Sequence, residues 1–125
     1  KKYTRPALLI IDELGFPHFE KVLQAFPELR FFGHSAAFWS EISGDVTSEQ
    51  KNDYPHRTIT PGGAIVRLMR HYPNLYADLS GGSGHNAVTR DPDAGYAFLT
   101  EFHDRLFFGL DCVNSNCQTG VLGWM

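Results

Sequence analysis

One pattern recurs three times along this chain, and it restricts the fold more than any other feature. Phe19, Val22, Leu23 and Phe26 stand at positions i, i+3, i+4 and i+7. Ile65, Leu68, Met69 and Tyr72 repeat that spacing, and so do Gly95, Phe98, Leu99 and Phe102. Residues so spaced form an apolar stripe on one face of a short helix. Each stripe runs into a breaker or polar step and then a short apolar run, over Phe26 to His34, Tyr72 to Ser80 and Phe102 to Asp111. Pro27 and Pro73 cannot continue a helix, and the runs after them are aromatic and strand-length, as buried strands are. The repeat predicts an α/β fold of three consecutive αβ units with parallel strands. Helices are expected to cover the sheet, because such strands are apolar on both faces. Asp91-Pro92 reads as an N-cap followed by proline at the first helical position, and Gly15-Phe16-Pro17 and Thr60-Pro61 are expected to open the other two helices. The earlier run Ala7 to Ile11 fits a buried strand or an apolar turn equally well.

The connections are unequal in length. Helix-to-strand turns are short, whereas the strand-to-helix connections run from Ser35 to Gly63 and from Gly81 to Arg90. Long loops at the carboxyl ends of parallel strands are where α/β proteins place their chemistry. Within the first, Ala36 to Ile42 carries Phe38, Trp39 and Ile42 on one side of a possible helical turn, a lid or pocket wall in which Trp39 would meet substrate. The second reads as a flexible loop from which His85 and Asn86 would reach substrate.

His34 ends the first strand, Asp78 and Ser80 the second, and Asp111 the third. Parallel strands would bring them to one side of the sheet. Imidazole and carboxylate facing a common space suit metal ligation or a proton relay. A strand-end histidine also serves as a structural hydrogen-bonding group, and an aspartate there also forms turns and caps helices. Phe-Phe-Gly precedes the charged rim in the first and third strands, which favours the functional reading; Gly33 and Gly109 would leave room at a pocket floor.

Three stretches carry a family resemblance: Phe26-Pro27-Glu28-Leu29-Arg30-Phe31-Phe32-Gly33-His34, Tyr72-Pro73-Asn74-Leu75-Tyr76-Ala77-Asp78-Leu79-Ser80 and Arg105-Leu106-Phe107-Phe108-Gly109-Leu110-Asp111. In that order they resemble the carboxyl-terminal half of the amidohydrolase-2 family of metal-dependent hydrolases, over roughly Asp12 to Cys112. The resemblance implies strands six to eight of a (β/α)8 TIM barrel. It implies His34 as the strand-six histidine, which activates water or substrate or binds a second metal. It implies Asp111 as the strand-eight aspartate, a metal ligand and proton acceptor. Leu110 stands where the family carries Ser or Thr. The implied cofactor is a divalent metal, zinc first, and the implied reactions are hydrolysis of an amide or lactone or decarboxylation of an aromatic acid. The family's His-x-His pair and strand-five histidine have no counterpart, and a TIM barrel takes about 250 residues. Residues 1–125 are therefore expected to be a single partial domain, a fragment inactive alone, with open sheet edges and exposed apolar helix faces that drive self-association.

Composition narrows the alternatives. Eleven Lys and Arg against fourteen Asp and Glu leave a net charge of −3, with 14% aromatics, which excludes a nucleic-acid-binding basic tail and a disordered polyampholyte. No apolar run approaches the ~20 residues of a membrane helix. Cys112 and Cys117 are too few for a disulfide scaffold or a zinc site of their own, so a reducing, cytoplasmic setting is expected. Gly82 to Ala87 matches the G-x-G-x-x-A of dinucleotide sites, but that motif needs a helix opening at the glycines, and the next helix is expected only at Pro92. His56, His71 and His103 read as solvated or as last-turn groups favourable to a helix dipole, His18 stands at a helix start with no evident partner, and Arg67 and Arg70 read as solvated surface. The competing class is a non-enzymatic α/β binding or assembly module that pairs through open edges.

Overall fold

The computed structural model describes residues 16–111. Ala7 to Ile11, Gly15, both cysteines and the tail from Val113 lie outside the described residues. The element order is α1 (Phe16–Ala25), β1 (Phe31–Gly33), α2 (Ala36–Ser40), α3 (Ala64–His71), β2 (Leu75–Asp78), α4 (Gly81–Thr89), α5 (Pro92–Phe102) and β3 (Leu106–Phe107), with a 3-10 turn at Ser48–Gln50. The strands form one parallel sheet in the order β1-β2-β3. Phe31 pairs with Leu75 and Gly33 with Ala77, while Ala77 and Asp78 pair with Leu106 and Phe107. The α/β class and the three αβ units thus stand as the stripes predicted.

Each stripe supplies the core. Phe19 and Leu23 of α1, Ile65, Leu68 and Met69 of α3, and Phe98 and Phe102 of α5 are buried in one cluster with Phe31, Leu75 and Ala77. Burying each such side chain is worth about 1.5–3 kcal/mol, and helices this short depend on that packing rather than on propensity. Phe26, just past α1, is 46% exposed and drops out of its stripe.

Polar groups stitch one unit to the next. The buried Asn74 amide, in the turn before β2, donates to the Leu23 carbonyl at 3.2 Å and the Phe26 carbonyl at 3.1 Å. Arg105, in the turn before β3, donates to the Met69 carbonyl at 2.6 Å and the Tyr72 carbonyl at 3.2 Å. Carbonyls at a helix end have no partner within the helix, so α1 and α3 are each closed by a side chain of the unit that follows. Arg67 and Arg70 are not free surface groups either: they pair with Glu20 and, through two bonds, with Glu101.

Several expectations give way. Gly81 to Arg90 is not a flexible loop; it holds α4. The helix opens at the glycines, where the dinucleotide motif needs one, and not first at Pro92 as expected. What the structure shows is Gly84 pressed inside α4, where a Cβ would lie 2.5 Å from the Leu79 carbonyl oxygen. Thr60-Pro61 does not cap α3, whose N-cap is Gly63; Thr60 N–H bonds Ser43 Oγ instead. Asp91 caps α5 through Ala94 N–H with Pro92 at its start, as expected.

The sheet also has two unlike faces. Alternation sends Phe31, Gly33, Leu75 and Ala77 toward the helices and Phe32, Tyr76 and Phe107 the other way. The latter rings cluster at centroid distances of 5.1–5.9 Å, and Phe107 is 48% exposed. Exposed apolar side chains thus occur on this face of the sheet, at Phe107, and also beside the helices, at Phe26 and at Tyr96 of α5.

Candidate functional site

The open face ends, at the carboxyl edge of the strands, in a cavity of about 380 Å³. Phe32, Phe107 and Phe108 make its apolar wall; His34, Asp78, Ser80, Gly109 and Asp111 make the rest. Parallel pairing accounts for the gathering. His34 follows β1, Asp78 ends β2 on the same face as Tyr76, and the chain beyond β3 carries Asp111 back over Gly81.

His34 stands between two carboxylates. Its Nδ1 is 3.5 Å from Asp78 Oδ2, and its Nε2 is 3.6 Å from Asp111 Oδ2. The three side chains are 23%, 33% and 50% exposed, so the pocket opens on the Asp111 side. Ser80 lies deeper, 4% exposed. Its hydroxyl donates to Asp78 Oδ2 at 2.8 Å, its N–H donates to Asp78 Oδ1 at 2.9 Å, and its Oγ is 3.4 Å from His34 Nδ1. From below, the Trp39 indole N–H donates to the Asp78 carbonyl at 2.9 Å.

Two non-glycine residues among those described have positive φ, and both border this site: Ser35 at 94° and Asp111 at 53°. Ser35, immediately after His34, turns the chain into α2 and accepts from Phe38 N–H as its N-cap. Backbone held in sparsely populated regions costs about 1–3 kcal/mol and gathers at functional positions.

His34, Asp111 and Ser80 are therefore brought together. Trp39 is not part of the pocket lining: it is 2% exposed in the core, and its role here is to hold the backbone of Asp78. His85 and Asn86 sit on α4 outside the lining, and Asn86 donates to the Pro55 carbonyl at 3.1 Å, tying down the long connection. Gly33 leaves room for the Phe38 ring on the helix side, 2.1 Å from where a Cβ would stand, and not for a pocket. Asp78, expected from the sequence at this rim but given no role there, is the residue that faces His34 Nδ1. It was visible at the end of its strand, two residues from Ser80 and hence on the same face.

Two ligands of a tetrahedral zinc ion lie roughly 3.4 Å apart, close to the 3.6 Å between His34 Nε2 and Asp111 Oδ2. Among the described residues, however, no group of three or more His, Cys, Asp or Glu side chains is arranged to hold an ion. The pair fits one edge of a metal site. No family model, curated protein or solved structure matches this chain.

Proposed function

We propose that these αβ units belong to a metal-dependent hydrolase barrel acting on a small carbonyl substrate, an amide or lactone, or decarboxylating an aromatic acid. The observation that carries this reading is the meeting of His34 and Asp111 over one cavity at the carboxyl ends of parallel strands. Asp111, the more exposed of the two, accepts a proton from an attacking water in this reading and returns it to the leaving group. His34 orients the attacking water by accepting its hydrogen bond, and the wall of Phe32 and Phe107 takes the apolar part of the substrate. A divalent ion, zinc for a donor set of imidazole and carboxylate, would be held by Asp111 and His34 with further donors from outside the described residues and would supply Lewis-acid polarisation of the carbonyl. A cytoplasmic setting belongs to the same proposal; among the described residues, no helix is long and apolar enough to cross a membrane.

Calorimetric titration of zinc into the full chain tests the site. Two donors bind weakly, so a dissociation constant above about 1 µM is expected, with the residual binding lost in Asp111→Ala. Submicromolar affinity that survives Asp111→Ala refutes the assignment.

A second reading is favoured by one observation, the half-exposed Phe107 and Phe108 on the open face. In that reading the chain is an assembly module that docks through its sheet. A discrete dimer in sedimentation, lost in Phe107→Ser and indifferent to zinc, would replace the enzymatic reading.

A further inference from the structure

We infer that Asp78 and Ser80 are positioning residues that fix His34 as the Nδ1–H tautomer and so turn the Nε2 lone pair toward Asp111 and the cavity. A carboxylate can only accept hydrogen bonds. The Ser80 hydroxyl proton is already given to Asp78 Oδ2 at 2.8 Å, so toward His34 the Ser80 oxygen offers only lone pairs. Both groups facing Nδ1 are therefore acceptors, at 3.4 and 3.5 Å, against a single acceptor at 3.6 Å facing Nε2, and this pair draws the ring's hydrogen to Nδ1. A neutral imidazole carries one N–H, which leaves Nε2 bare, 3.6 Å from Asp111 Oδ2.

A lone pair aimed at a carboxylate repels it unless something positive stands between them. The tautomer set from behind thus prepares the gap in front to take a proton or a cation. The frame is rigid: Asp78 Oδ1 is held by Ser80 N–H, and its backbone carbonyl by the buried Trp39 indole. Orientation of a ligating or proton-accepting histidine through its other nitrogen is a recurrent device. The catalytic consequence rests on the hydrolase reading; the tautomer does not.

The test is the side-chain 15N spectrum of the full chain, metal-free at pH 8, with His34 assigned by its loss in His34→Gln. The wild type is expected to show Nδ1 protonated and Nε2 bare. In Asp78→Asn the amide keeps its oxygen on Ser80 N–H and presents its NH2 where Oδ2 stood. A donor then faces Nδ1, directly or through the Ser80 hydroxyl, and the tautomer is expected to invert to Nε2–H. Ser80→Ala leaves Asp78 Oδ2 as acceptor and is expected to keep the wild-type pattern. A purely structural Asp78 would leave the tautomer unchanged in Asp78→Asn. That result, or an Nε2–H or doubly protonated ring in the wild type, overturns the inference, and the wild-type spectrum decides even if a variant misfolds. An Nδ1–H ring in a chain indifferent to zinc would retire the hydrolase reading and leave the positioning role standing.

Discussion

Gly84 and Gly82 lie two residues apart on α4, and replacing each with alanine is expected to move stability in opposite directions. Alanine in a helix normally gains about 0.4–1 kcal/mol over glycine, because the unfolded chain loses freedom. At Gly84 that gain meets a wall of backbone: the new Cβ would lie 2.5 Å from the Leu79 oxygen, 2.6 Å from its carbonyl carbon and 2.7 Å from its Cα. To reach ordinary contact the helix and the end of β2 must part by about 0.9 Å. Such overpacking costs about 1–3 kcal/mol, so a net loss of about 1–2 kcal/mol is expected for Gly84→Ala. At Gly82 the nearest atom is 3.3 Å away on the exposed Tyr54 side chain, which can yield. Gly82→Ala is expected to be neutral or to gain a few tenths of a kcal/mol. Urea unfolding followed by far-UV circular dichroism gives both values. If Gly84→Ala is as stable as the wild type, α4 does not pack on Leu79 as described.

Two further outcomes are expected. Hydrogen bonds from Ile59 N–H and Ala94 N–H hold the Asp91 carboxyl below the usual carboxylate range. Its stabilisation is therefore present above the unfolded value of about 3.9 and fades as pH falls through the lower folded value. The melting-temperature gap between wild type and Asp91→Asn should be full at pH 7 and shrink below about pH 4; an equal gap at pH 7 and pH 3 contradicts this. Arg90 buries Nε and Nη1 without a hydrogen-bond partner, and burial together with nearby Arg57 lowers its pKa. Arg90→Met is expected to stabilise by on the order of 1 kcal/mol, and a lower melting temperature would refute that.

Much of the architecture was legible because tertiary burial and local pattern agree. The stripes through Leu23, Leu68 and Phe98 mark helices whose buried faces the structure confirms. Pro27 and Pro73 mark where two of them stop, and strand ends then place His34 and Asp111 at one rim. The rest depended on contacts that no local window contains. Gly81–Thr89 carries three glycines and reads as a loop by propensity, yet its Ala87 and Val88 are buried and the close approach at Gly84 makes it a helix. Trp39 looked like a pocket residue because its partner, the Asp78 carbonyl, is 39 positions away. Strand ends also brought Asp78 to the rim of His34 but did not show its pairing with the Nδ1 side of that ring, 44 positions earlier.

The repeat is not modular. The final carbonyls of α1 are closed by Asn74 and those of α3 by Arg105, so these two helices borrow their termini from downstream chain. Ending the polypeptide after the first or second unit strips partners from that unit's helix, and damage at the C-terminal side travels backward. A ribosome emerging with the first two units has therefore made a helix that cannot yet finish itself; these segments are expected to settle together, late, as one cooperative block.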